Sequence, residues 1–140
     1  MTTRRNAPYA EGTKVPVMHS KTEIERTLAR FGASGFAYAI RNGEAIVMFE
    51  ANNRRVRFSL PKPLKHTQTA TDAEERRLWR SLAMAIKSKL DIVRSGIATF
   101  EAEMLPYTLL RDGRTFGEWV EANSDALDAN QMPPMLPGSR

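Results

Sequence analysis

Two short turns constrain this chain more than any other feature. Asn42-Gly43 and Asn52-Asn53 each separate two runs of β-forming residues. Asn-Gly is the strongest two-residue hairpin signal, because both central positions of a type I′ turn need positive φ. Asn tolerates that region as well, so Asn52-Asn53 can make the second turn. The sequence therefore predicts three antiparallel strands, over about 34–40, 44–51 and 54–60.

Two-residue loops also fix the register. Ile40 falls opposite Ala45, Tyr38 opposite Val47 and Phe36 opposite Phe49; beyond the second turn Phe49 meets Val56, Val47 meets Phe58 and Ala45 meets Leu60. Every member of that face is apolar or aromatic, and a slip of one residue would destroy it. It is the expected core side. The reverse face is mixed: Ala37, Ala39, Arg41, Glu44, Ile46, Met48, Glu50, Arg55, Arg57 and Ser59. There Arg55 opposes Glu50 as a cross-strand pair, while Arg57 opposes Met48 and has no acid beside it. This face is expected to meet solvent or a partner.

Helical patterns flank the strands. Ser20-Lys-Thr-Glu23 has the spacing of a capping box, and Ile24, Leu28 and Phe31 follow as one stripe closed by Gly32. A second box, Thr71-Asp-Ala-Glu74, opens a longer helix with a buried stripe of Leu78, Leu82, Ile86, Leu90, Val93 and Ile97, helped by Trp79, Ala83 and Ala85. Further on, Thr99–Leu105 reads as a short helix stopped by Pro106, 107–110 as strand-like, and Thr115-Phe-Gly-Glu118 as the cap of a helix to about Ala129. The predicted fold is α+β, a two-layer sandwich: helix, three-stranded antiparallel sheet, long helix, with a C-terminal helical appendix. Its parts are an extended basic arm over 1–19 carrying Arg4, Arg5 and Lys14, a core over 20–98, the appendix over 99–131 and a Pro-rich tail over 132–140.

Composition narrows the function. The chain has 140 residues and no cysteine, which excludes disulfides, thiolate metal sites and cysteine nucleophiles. No apolar run approaches the ~20 residues that span a bilayer. Met1-Thr-Thr-Arg-Arg5 leads into no apolar stretch, so no signal peptide and no membrane are expected, and the setting expected is cytoplasmic. Residues 1–70 carry 12 bases and 5 acids, 71–98 carry 6 and 4, and 99–140 carry 3 and 7, for a net charge of +5. A basic front and an acidic end suggest two faces with different partners. Fifteen of the 21 bases are Arg, whose fork suits phosphate.

The helix–strand–strand–strand–helix order over about 20–95 resembles the double-stranded-RNA-binding domain. That family sets a basic cluster where its last helix begins, aimed at phosphates. Arg76, Arg77 and Arg80 have its i, i+1, i+4 spacing, although the Gly-rich segment before that helix is missing and Trp79 stands where a small residue is usual. Four stretches are also similar to a family of small proteins encoded by phages and prophages: Tyr9–Val17, Glu23–Ala33, Arg54–Pro61 and Asp112–Trp119. Members of that family tend to sit among replication and recombination genes. The resemblance implies work on nucleic acid and supplies no catalytic residues.

The basic face Arg76, Arg77, Arg80, Lys87 and Arg94 is accordingly the first candidate for phosphate binding, with Lys62 and Lys65 in the loop before it and Arg55 and Arg57 on the sheet. A solvated helix face paired with Glu74 and Glu75 is the plainer account of the same cluster. His19 and His66 fall in expected loops and read as surface residues. The pairs Glu101/Glu103 and Asp125/Asp128 read as solvated helix ends. No catalytic constellation, metal set or cofactor motif emerges, so a non-enzymatic binding protein is expected. The expected partner is nucleic acid, DNA ahead of RNA. The alternative is a host protein, such as a defence component, contacted through Trp119, Met132, Met135 and Leu136, and a free edge on the first or third strand offers a route to a homodimer.

Overall fold

The computed structural model describes residues 2–127, with side chains over 14–125. Helix α1 (Thr2–Phe31) leads into strands β1 (Gly35–Arg41), β2 (Glu44–Ala51) and β3 (Arg54–Leu60), followed by helix α2 (Gln68–Arg94). A short α3 (Phe100–Glu103), a 3₁₀ turn at Leu105–Tyr107, α4 (Phe116–Ala122) and a last 3₁₀ turn at Ser124–Leu127 complete it. The fold is α+β, with both long helices on one face of the sheet.

The sheet has the order β1-β2-β3, and all six predicted cross-strand pairs are present. Asn42 and Gly43 sit at φ 55° and 80°, and Asn52 and Asn53 at 52° and 60°. Both loops are thus built from residues that accept left-handed backbone, and their twist matches that of the strands they join.

The apolar face is roofed by Val17, Ile24 and Leu28 from α1 and by Trp79, Leu82, Ile86 and Leu90 from α2. Phe100 and Met104 close one end. The Phe100 ring stacks on Phe31 at 5.5 Å and meets Phe49 edge-on at 6.5 Å. Each fully buried side chain of this size contributes about 1.5–3 kcal/mol. On β1, Tyr38 donates its hydroxyl to the Lys21 carbonyl at 3.0 Å; burial, with the Glu25 carboxylate adding to it, pushes that hydroxyl up to about 12.

Several boundaries differ from the sequence reading. Residues 2–19 are helical, so they form no extended arm, and Ser20 lies inside α1 instead of capping it. The reason is packing: Val17 and Ser20 extend the stripe of Ile24 and Leu28 back toward the N-terminus, and both are buried. Helix α2 starts one turn before Thr71. Thr67 is its cap, accepting from the Ala70 N–H at 3.0 Å, while the Thr71 hydroxyl donates back to the Thr67 carbonyl. At the far end α2 stops at Arg94, Gly96 turns the chain at φ 75°, and Ile97 is left 77% exposed outside the stripe. The helix capped by Thr115 ends at Ala122, short of Ala129.

The largest difference is at β1. Phe36 and Ile40 belong by register to the core face, yet they are 44% and 75% exposed. Two helices do not reach across all three strands, so the outer strand keeps an open face. Among the described residues no strand pairs with the outer edge of β1.

The β3 edge is covered. The Leu109 N–H donates to the Arg55 carbonyl at 2.8 Å, Thr108 bridges Val56, and Tyr107 stacks on Phe58 at 4.3 Å. The chain then turns through Gly113 into α4. Thr115 and Glu118 make the predicted capping box, and a Cβ on Gly117 would come within 2.8 Å of the Pro106 carbonyl oxygen. Among the described residues no helix is long and apolar enough to cross a membrane.

Candidate nucleic-acid interface

Helices α1 and α2 lie side by side and run in the same direction. Val15, Pro16, His19 and Ser20 share one cleft with Arg76 and Arg80, and one to two turns on Arg26, Thr27 and Arg30 share another with Lys87 and Arg94. Three strands between two helices impose this, because an odd number of antiparallel crossings returns the chain in its original direction.

The outer surface of the helical layer is therefore a shallow groove, basic on both banks. Arg26 and Arg30 stand on the α1 bank, and Arg76, Arg80, Lys87 and Arg94 on the α2 bank, against the acids Glu23 and Asp91. Glu23 is engaged by His19, whose Nε2 lies 3.0 Å from its carboxylate. Among the described residues no ion pair holds Arg26, Arg30, Arg80 or Lys87. Arg94 lies over the Phe31 ring at 6.0 Å, a cation–π contact that fixes its stem and leaves the charge exposed. From Arg76 to Arg94 the α2 bank is about 27 Å long at 1.5 Å per residue.

The other predicted site residues are spread out. Arg77 points away from the groove, forked onto Glu74 at 2.7 and 2.9 Å; this pairing holds the Glu74 carboxylate below its ordinary range, with Lys65 adding to it. The Lys65 backbone N–H donates to the Thr71 hydroxyl, which ties the loop to the first turn of α2. Lys62 lies across the first hairpin, so close that a Cβ on Gly43 would come within 2.7 Å of its chain. These residues flank one end of the groove without lining it.

Arg55 and Arg57 do not join that surface at all, because they lie on the opposite face of the sheet. Arg55 holds Glu50 at 3.1 Å, as its register predicts. Arg57 is only 7% exposed. It donates to the Gly113 carbonyl at 3.2 Å and to the Glu118 carboxylate, and its Nε is buried without a partner. Buried there, Arg57 is not available as a phosphate contact: the appendix folds over it and supplies the acid that its strand neighbours lack. The Thr115 backbone N–H is the main cause of the lowered Glu118 pKa; burial opposes it, and Arg57 adds to the lowering.

Trp119 is half-buried, stacked on Phe116 at 5.8 Å. Met132, Met135, Leu136 and the Pro-rich tail lie outside the described residues. His19 stands in α1, not in a loop, with Glu23 one turn on. Among the described residues no group of three or more metal-ligating side chains comes together.

Sequence reasoning missed Arg26 and Arg30. Their i, i+4 spacing is visible in the sequence. What makes them part of a site is α2 alongside, a tertiary contact that the spacing alone does not reveal. No family model, curated protein or solved structure matches the chain.

Proposed function

We propose that this protein binds nucleic acid through its phosphate backbone, along the groove between α1 and α2. The observation that carries this reading is the convergence of bases from two separate helices on one surface, four of them without a salt-bridge partner among the described residues. A solvated helix face disperses or pairs its charges, as Arg77 and Glu74 do here. Unpaired cations held side by side repel one another, and a polyanion relieves that repulsion while releasing its own counterions. The helix order also resembles that of the double-stranded-RNA-binding domain, and the four stretches similar to phage proteins favour replication or recombination as the setting, with DNA ahead of RNA. Contacts of this kind position a protein on a strand and read little sequence.

The test is fluorescence anisotropy with labelled duplex DNA, single-stranded DNA and duplex RNA at about 50 and 200 mM salt. Neutralising roughly four phosphates gives a log–log salt slope near −3.6, so affinity should fall roughly 100-fold across that range. Replacing Arg30, Arg80 and Lys87 together by Gln should flatten the slope by about 2.7. All three side chains are exposed, so the fold should survive. Absence of binding to all three ligands at low salt, or a triple variant that binds like the parent, would overturn the reading.

A further inference from the structure

We infer that β1 is a self-pairing edge, and that two copies of this protein join through it into a continuous six-stranded sheet. The two edges of the sheet are treated differently. The β3 edge is occupied by 107–110 of the same chain, whereas among the described residues nothing pairs with the β1 edge over its seven residues, all of them exposed except the part-buried Tyr38. Edge strands left free are ordinarily blunted by Pro, Lys, a bulge or a covering loop. The run Gly35-Phe-Ala-Tyr-Ala-Ile-Arg41 has none of these along its length, and its one charge stands at the end.

The phase of the open hydrogen-bonding groups selects the partner. In an antiparallel ladder, alternate residues turn their N–H and C=O toward one neighbour. A two-residue hairpin makes Arg41–Glu44 a bonded pair, which directs residues 35, 37, 39 and 41 to β2 and leaves Phe36, Tyr38 and Ile40 facing outward. An antiparallel copy of β1 turned about a twofold axis at Tyr38 sets Tyr38 against Tyr38, and Phe36 against Ile40 twice. Each outward group then meets an outward group, giving about six cross-copy bonds. The same alignment brings together the two exposed apolar side chains that the helices leave uncovered.

Charge is complementary in that register. Arg41 of one copy falls opposite Gly35 of the other, and Glu50 lies next to Gly35 on β2. Gly35 has no side chain, so Arg41 can reach across it, over two strand spacings or about 10 Å between Cα atoms, to the Glu50 carboxylate that Arg55 already holds from β3. A strand from an unrelated protein would need neither match. A second copy supplies both automatically, as an isologous interface requires.

The experiment is light scattering on the full chain at about 100 µM, a concentration that detects even modest affinity. The expected mass is twice 15.8 kDa. Two variants at one exposed position should halve it. Ile40→Pro removes an outward N–H and no bond to β2, a placement that edge strands accept. Ile40→Lys keeps the backbone and sets two like charges beside the seam. Amide exchange on the parent protein gives an independent readout: the Phe36, Tyr38 and Ile40 amides should be protected at high concentration and exchange faster on dilution. A monomeric parent, a dimer that survives both substitutions, or outward amides that exchange freely at high concentration would each overturn the inference.

Discussion

Arg57 offers the sharpest test of how the sheet and the appendix hold together. It is 7% exposed, while its partner Glu118 keeps about half of its side chain in water at 47%. The pair is lopsided, and the balance can be worked from that. In Arg57→Ala the charge-assisted bond to the Gly113 carbonyl is lost, at about 1.5–3 kcal/mol. The packed stem goes with it, but Glu118 rehydrates and adds little. A loss of about 2–3 kcal/mol is expected. In Arg57→Met the stem stays. The bond to Gly113 and the charge leave as in Arg57→Ala, with the same relief of the partnerless Nε, so the loss should be smaller by the contribution of the packed stem, about 1 kcal/mol. Equilibrium urea unfolding followed by tryptophan fluorescence separates the two, since Trp79 reports the core and Trp119 reports α4. Arg57→Met falling as far as Arg57→Ala would refute the reasoning, because the ion pair would then dominate over the stem. Neither change should alter the proposed binding of nucleic acid, since Arg57 is on the far side of the sheet from the groove.

Two further outcomes concern the same appendix. Glu118 titrates below its ordinary 4.5, held there chiefly by the Thr115 N–H. A carboxylate lowered in the folded state stabilises fully above its unfolded value and loses that contribution as pH falls through the folded one. Acid should therefore loosen α4 below about pH 4.5, read from Trp119 fluorescence, and Glu118→Gln should flatten that acid limb; superimposable acid profiles would count against it. Gly117→Ala should cost about 1–3 kcal/mol in thermal or urea unfolding, because its methyl group meets the Pro106 carbonyl oxygen, which is backbone and cannot swing aside. A neutral result would mean that α4 sits farther from the 3₁₀ turn.

The features legible in the sequence were those governed by neighbours along the chain. Asn42-Gly43 and Asn52-Asn53 set the whole register because a two-residue loop leaves no freedom, and Thr115 with Glu118 closes its box within four residues. Ser20 misled because a capping pattern is also found inside helices. Only the burial of Val17 and Ser20 against α2 shows that the helix runs through. Thr67 and Thr71 lie one turn apart, and local spacing could not choose between them. Phe36 and Ile40 alternate like core residues, but alternation says which side a residue faces and not whether a helix covers it. Arg57 needed an acid 61 positions away, and Arg26 and Arg30 needed a helix some 50 residues on; neither is a local signal.

If β1 pairs with its own copy as proposed, the asymmetry of the sheet's two edges sets a stoichiometry. A sheet with one free edge can add a single neighbour, and the pair is then finished. Residues 107–110 occupy β3 and, in the proposed pairing, would keep the count at one. A chain cut before that segment would carry a free strand at each side, and association between unlike edges has no geometric end. In the proposed dimer the acidic appendix would thus act as a stopper: its removal should turn a closed pair into a growing ribbon, and turbidity would report the change before any loss of secondary structure.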